Sequence, residues 1–442
     1  MDSNTLNRRN FFKKAGVAAI GVAAASKIST IPHTVLGAND KIRVGAIGTG
    51  RQGWTNIQDF MRDPSVEIAA VCDVYKPHLQ KSVEMTGGKA VAYSDFRQVI
   101  DRKDIDVIIV SAPDHWHALP TIYACDAGKD VYVEKPISHN IVEGRKMVEA
   151  ARRNNRIVQV GTQQRSGEHF KRAVELVWSG KLGKINMVKT WNFGNSYPNG
   201  IGITPVENPP ADLDWDMWLG PAPMVPYRRN LWLQPGGWAS FRYFWDYAGG
   251  MLTDWGTHLL DIVSWAMKVD APLAVSTHGG KYYLQDDMET PDTLETVYEF
   301  PGFVCTYVNS WLNSHGIDGK GYGIQFYGTN GTLFVDREGY SVFPEMQSEE
   351  GYQVGKMDMI KSGSSEQHRA HVNNFLECIK SRKLPNSDIE IGHHSTVLSH
   401  LGNIALRTKE RIEWDAKNER VTNHPEANKL LSREYRAPWR LS

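Results

Sequence analysis

From Ile42 onward the apolar positions alternate between two patterns. Short continuous apolar runs occupy 42–47, 66–74 (VEIAAVCDV), 89–95 (KAVAYSD), 105–113 (IDVIIVSAP), 130–136 (DVYVEKP) and 156–165 (RIVQVGTQQR). Between them, 56–63, 77–86, 96–104, 118–128 and 140–154 carry apolar residues at helical spacing. Strands that are apolar without interruption belong to parallel sheets buried on both faces. The alternation therefore predicts a doubly wound α/β domain over 38–163, and ligands in such sheets sit beyond the carboxyl ends of the strands.

From about residue 164 the pattern changes. A helix is predicted over 167–180 and a strand over 184–194, followed by an irregular stretch to about 248 that is rich in Trp, Tyr, Pro and Gly. A loop this long in a compact protein points to function. Trp238 and Tyr243 within it are candidates for stacking on the CH faces of a sugar, although any single aromatic there could equally stiffen the loop. Strands are predicted at 273–279, 294–300, 303–312, 323–328, 332–336 and 412–415, with hairpin signals at FPGF and GTNGT. Helices are predicted at 366–381 and 392–407, then a mostly polar tail. Residues 164–442 thus read as an α+β domain with a largely antiparallel sheet.

The first strand runs into Gly48, Gly50 and Gly53 and then a helix, and the second ends on Asp73, twenty residues past Gly53. Strand, glycine turn, helix and strand with a terminal acid is the dinucleotide fingerprint in its required context. Gly48 permits the tight turn, Gly50 lets the backbone approach a pyrophosphate, and Gly53 lets helix and strand pack closely. The helix N-terminus offers N–H groups and partial positive charge to phosphates. Asp73 can accept hydrogen bonds from a ribose and would repel a 2′-phosphate, which favours NAD over NADP. Arg51 and Gln52 in the turn, and Pro113, His117, Glu134 and Lys135 at later strand ends, are the further expected cofactor contacts. His115 and Trp116, in PDHWH, are expected to line the substrate side.

Composition adds two constraints. The 442 residues include 50 basic and 50 acidic side chains, so no overall field recruits nucleic acid. Cys72, Cys125, Cys305 and Cys378 form no CxxC pair and are expected to be free thiols, mostly buried. Residues 1–37 stand apart from the fold. Arg8 and Arg9 precede an Ala/Gly/Val stretch from Ala15 to Ala25 that is too short and too weakly hydrophobic to anchor in a bilayer. This resembles a twin-arginine signal peptide, which predicts export to the periplasm or beyond. An exported nucleotide enzyme leaves the cytoplasmic NAD pool, so a tightly held cofactor is expected.

The segment 249–268 (GGMLTDWGTHLLDIVSWAMK) predicts a helix over 256–267 with Asp254 at its N-cap. Residues four apart share a helix face, so Asp254 and His258 can address one ligand. The alternative is a cap and a satisfied core histidine; the two glycines before the turn and the charge cluster that Asp261 completes on an otherwise apolar helix favour the functional reading. The pairs His115/His117 and His393/His394 do not show the convergence a zinc site needs, so no metal is expected.

GAIGTGRQG, Asp73, VEKP (133–136) and DWGTH (254–258), in this order and separation, together resemble the Gfo/Idh/MocA oxidoreductases. The resemblance implies a Rossmann domain joined to a second domain whose large open sheet supports homo-oligomerisation. It implies that Lys135 contacts the reacting hydroxyl and the nicotinamide, that His258 is the general base, and that Asp254 orients substrate. At Asp114 the chain departs from the family, which often has Asn there. Catalytic roles are thus expected for Lys135, His258 and Asp254, with Asp254 and His258 also touching substrate. The expected activity is NAD-dependent oxidation of a secondary hydroxyl of a sugar or glycoside, with C3 as the candidate carbon. The alternative is a redox-neutral glycosidase that oxidises, eliminates, adds water and reduces again. A non-catalytic binding protein is disfavoured because Lys135, Asp254 and His258 are all present.

Overall fold

The computed structural model describes residues 41–232 and 239–441; the 1–37 leader and Trp238 lie outside the described residues. The first sheet comprises β1 (Ile42–Ile47), β2 (Val66–Cys72), β3 (Val91–Tyr93), β4 (Val107–Val110), β5 (Asp130–Val133) and β6 (Val158–Val160). Its order is β3-β2-β1-β4-β5-β6, parallel throughout. The crossovers carry α1 (Arg51–Met61), α2 (Lys76–Met85), α3 (Phe96–Ile100), α4 (Ala118–Asp126) and α5 (Ile141–Arg153). Every side chain of β4 and β5 is buried, as uninterrupted apolar runs require. The order reverses between β1 and β4, which opens a crevice at the carboxyl ends of those two strands.

The second sheet is built on β7 (Ile185–Phe193), which follows α6 (Glu168–Trp178). After β7 come α7 (Trp215–Leu219), α8 (Arg229–Trp232) and α9 (Thr257–Met267). Then follow β8 (Ala274–Gly280), β9 (Thr293–Phe300), β10 (Phe303–Ser310), β11 (Tyr322–Gly328), β12 (Gly331–Asp336) and β13 (Gly339–Pro344). A small hairpin, β14 (Met346–Glu349) with β15 (Tyr352–Gly355), precedes β16 (Ile360–Gly363). The chain continues through α10 (His368–Ser381), α11 (Ile389–Thr408), β17 (Ile412–Asp415) and β18 (Arg420–Val421). The ten-stranded order is β16-β13-β12-β11-β7-β10-β9-β8-β17-β18, and β7 with β10 is its parallel pair. Along β10 the buried side chains of Phe303, Cys305 and Tyr307 alternate with the more exposed Val304, Thr306 and Val308. The buried face packs on α6, α9 and α11 around Phe170, Leu260, Val263, Tyr298 and Leu401. All four cysteines are buried free thiols.

Several contacts join the halves. Arg165, just past β6, makes a buried ion pair at 2.8 Å with Asp261 of α9, and Ser395 of α11 donates to the same carboxylate at 2.6 Å. Asp261 is therefore a structural charge, separate from the cleft described below. The segment before α11 returns to the first sheet, where the Val160 N–H donates to Ser387 O at 2.9 Å and shields the β6 edge. The C-terminal tail, read from sequence as polar, inserts Trp439 against Trp116 and Phe96 in the first domain's core. Among the described residues no helix is long and apolar enough to cross a membrane.

Candidate active site

At the crevice, Gly48 adopts φ +79°, and a Cβ there would stand 2.4 Å from Ala112 N. The turn after β1 thus lies directly against the end of β4. A Cβ on Gly53 would stand 2.1 Å from Gly48 O, so α1 packs on the turn as closely as the sequence implied. Gly50 differs: a Cβ there meets nothing nearer than His78 at 3.6 Å, on the cleft side. α1 starts here with no side-chain cap and no acid in its first turn, leaving its N–H groups to an anionic ligand. Asp73 lines the same cleft and accepts N–H groups from Thr49 (2.7 Å) and Tyr75 (2.9 Å), which fixes its carboxylate. A bare cradle beside an anchored acid fits an adenine dinucleotide: Gly48–Gly53 would hold its pyrophosphate and Asp73 its ribose.

The cleft has a volume of about 610 Å³, within the usual range for small-molecule sites. Arg51, Gln52, Pro113, Trp116, His117, Glu134, Lys135, Asp254 and His258, all expected from sequence, lie in its wall. Glu134 Oε1 accepts amide N–H groups from Asn56 (3.0 Å), Gln52 (3.2 Å) and Gln163 (3.3 Å), and burial raises its pKa. His117 sets Nε2 at 2.7 Å from Ala112 O and Nδ1 at 2.6 Å from Pro136 O, bracing the end of β4 against the turn that carries Lys135.

The Lys135 ammonium crosses between the domains and donates to Asp254 Oδ1 at 2.6 Å and Asp254 O at 3.0 Å. Arg242 Nε donates to the same Oδ1 at 2.9 Å. Burial opposes charge on Asp254, but Lys135 and Arg242 overcome it and hold the carboxyl well below its usual range. Asp254 does not cap a helix as expected. It lies in a π-helical turn, Leu252–Gly256, that continues into α9 and turns the carboxylate toward the first domain. His258 is buried in the same wall with no partner for Nδ1. Burial, then the Lys135 and Arg337 charges, push its pKa well below normal, so the ring is neutral at pH 7. Asp114, whose role the sequence left open, faces the cleft, and burial pushes its pKa up to about 7.

Two expected substrate contacts lie elsewhere. The His115 ring is turned away from the cleft: its Nε2 sits 3.0 Å from Trp218 O and the ring packs against Tyr247. Tyr243 packs edge-on to Trp311 in the aromatic loop's own core, away from the cleft. Both were drawn into the loop's hydrophobic cluster, which a sequence window does not show. Asn56, Gln163, Arg242, Arg337 and His368 were missed. Asn56 could have been found, since it shares a helix face with Gln52 four residues earlier, but the two arginines sit in segments without periodicity. Among the described residues no cluster of three or more His, Cys, Asp or Glu could hold a metal ion.

An uncapped glycine turn and its acid on one side, with an ammonium, a carboxylate and an imidazole at the facing wall, define a dinucleotide-dependent oxidoreductase built from a Rossmann half and a sheet-bearing half. The chain belongs to the Gfo/Idh/MocA oxidoreductase family. Residues 42–162 match its NAD-binding Rossmann fold, and residues 170–300 and 329–441 its C-terminal alpha/beta domain. A glycosyl hydrolase family 109 protein of Shewanella baltica (strain OS155 / ATCC BAA-1091) is 28% identical over 205 residues, 41% of this chain and 45% of that relative. The chain thus matches less than half the length of these curated relatives. Levoglucosan dehydrogenase in complex with NADH and levoglucosan shares the fold with a TM-score of 0.64 at 17% identity, over 85% of this chain and 99% of that one. The WlbA dehydrogenase from Bordetella pertussis, in complex with NADH and UDP-GlcNAcA, gives 0.63 at 20% identity, over 85% and 99%.

The anchored Asp73 yields a prediction about cofactor choice. Asp73→Ser removes a charge-assisted acceptor and the repulsion of a 2′-phosphate, so the ratio of NADPH to NADH affinity should rise about tenfold or more. Titrations of nucleotide fluorescence measure both; an unchanged ratio would detach Asp73 from the ribose.

Proposed function

We propose that this protein oxidises a secondary hydroxyl of a sugar or glycoside using a retained NAD. The observation that carries the reading is the convergence of Lys135, Asp254 and His258 in the wall of the cleft that holds the dinucleotide cradle. Lys135 stabilises negative charge on the reacting oxygen, which an ammonium does best in a dry site. Neutral His258 accepts the hydroxyl proton, and Asp254 fixes the ammonium's direction while binding substrate. When bound, the nicotinamide supplies the hydride acceptor. Trp116 and Trp218, whose indole N–H and carbonyl are joined at 2.9 Å, offer a flat apolar wall to a sugar ring.

A second reading is a redox-neutral glycosidase, which needs one more group able to gain and lose a proton near neutrality. Asp114, with a pKa near 7 beside the Lys135 and Asp254 charges, favours it. Incubation with an aryl glycoside separates the two. NADH absorbance growing with substrate, or dependence on a second sugar as acceptor, supports the dehydrogenase. Aglycone release without net NADH supports the glycosidase. Purified protein that carries no nucleotide and binds none on addition would contradict both.

The leader and the sheet support two further parts of this reading. The Arg8–Arg9 pair ahead of the Ala/Gly/Val run favours export by the twin-arginine route, tested by fractionating cells that express wild type or a double lysine variant. The partly exposed face of β10, with Val304 and Val308, favours a homo-oligomer through the open sheet, tested by light scattering.

A further inference from the structure

Arg337 occupies the tip between β12 and β13, where Asp336 pairs directly with Gly339. Its own acidic neighbours are engaged elsewhere. Glu338 accepts the Tyr322 hydroxyl at 2.8 Å, and Asp336 lies 3.6 Å from Lys320 and accepts the Glu338 N–H at 2.8 Å. The Arg337 side chain turns instead into the active-site cleft. Its guanidinium lies 4.8 Å from the centre of the Trp255 ring, and that ring makes edge contact with His258 at 6.2 Å. Its Nε is buried without a hydrogen-bond partner, and among the described residues Arg337 makes no ion pair. The other cations at this end of the cleft, Lys135 and Arg242, already share Asp254. A buried donor left unpaired is costly, and among the described residues the Arg337 Nε–H has no acceptor. His368 adds a second basic group to the same wall.

A ligand in the cleft that Arg337 lines can supply an acceptor to its guanidinium. The dinucleotide's phosphates belong at the glycine turn and the start of α1, whereas Arg337 stands with Trp255 and His258 at the end where the hydroxyl reacts. We propose that Arg337 receives an oxyanion carried by the substrate, and that the sugar is an acidic one whose carboxylate pairs with the guanidinium fork, a hexuronic acid or its glycoside. A planar carboxylate matches that fork in two parallel hydrogen bonds. A sulfate ester offers the same chemistry from another source. This inference rests on the sugar oxidoreductase reading above and adds the substrate's charge.

The test uses the NAD-loaded protein and reads binding by calorimetry and by Trp fluorescence. Probes are methyl β-D-glucuronide and methyl α-D-galacturonide, their neutral glucoside and galactoside counterparts, and glucose 6-sulfate. At least one uronide should bind about tenfold or more tightly than its neutral partner. Arg337→Met should abolish that preference, Arg337→Lys should keep part of it, and the Kd for NAD should stay within about twofold in both. Tighter binding of the sulfate than of either uronide, lost in Arg337→Met, keeps the anion site and names the ester as its source. Equal affinities for charged and neutral sugars, no binding by any probe, or an Arg337→Met variant that weakens NAD while preserving the preference would each overturn the proposal. Sugar binding that loses all charge preference while NADH still forms would sink this inference alone. Preferential binding without any redox turnover would sink the oxidoreductase reading alone.

Discussion

Lys135→Met is expected to lower turnover by about 10²- to 10³-fold while leaving NAD affinity within about threefold. The ammonium is the group positioned to oppose charge on the reacting oxygen, and it works in a cleft where water does not screen it. Methionine keeps the length and apolar stem, and Asp254 retains Arg242 as its ion-pair partner at 2.9 Å, so no buried carboxylate is stranded. The variant should therefore fold, with unchanged circular dichroism, and the loss should appear in kcat. Single-turnover absorbance of NADH measures it. Near-normal turnover would remove Lys135 from the chemistry, whatever its hydrogen bonds.

Acidification from pH 7 to pH 5 should cost the protein roughly 3 kcal/mol of stability. His115, His371 and His400 are all buried outside the cleft, and burial lowers their pKa to about 3, 4 and 4. Each is hydrogen-bonded as a neutral ring, to Trp218 O, to Ser166 and Val160 O, and to Ser138 O. In the unfolded chain they protonate near pH 6.5. Their stabilising contribution is therefore present above about pH 6.5 and is lost as pH falls toward the folded values, at about 1.4 kcal/mol per pH unit for each ring. Asp114 and Glu134 oppose this, since burial raises their pKa and their neutral forms favour the fold at lower pH. The buried histidines outweigh them, and Tm should drop by about 3 °C over this interval. His400→Gln should flatten the slope. A Tm that is constant or rises on acidification would contradict the neutral, buried state of these rings.

The first domain was legible because each signal was local. A strand's apolar run, the glycines and the acid at Asp73 sit within a few dozen residues, and β1 and β2 form where that pattern puts them, while α1 starts at Arg51, five residues before the 56–63 read from sequence. The second domain was legible as strands but not as a complete sheet. Both β14 and β15 are almost fully exposed and carry no apolar alternation to betray them. The candidate site divides the same way. Asp254 and His258 could be paired because they lie four residues apart, whereas Arg242 arrives from an aperiodic 3-10 turn twelve residues earlier and Arg337 from a distant hairpin tip. His115 went astray because PDHWH folds as a 3-10 turn that points one ring of the run outward: Asp114, Trp116 and His117 face the cleft, whereas His115 packs on Trp218 and Tyr247. The tail shows the same limit, since nothing in its polar sequence announces that Trp439 completes the core behind Trp116.

The most direct measurement is a crystal structure of the NAD-loaded protein with its sugar bound. One hydroxyl within hydrogen-bonding distance of both the Lys135 amine and the His258 imidazole, beside the nicotinamide ring, is the predicted result. A sugar whose carbon facing that ring carries a hydroxyl touched by neither side chain would contradict it.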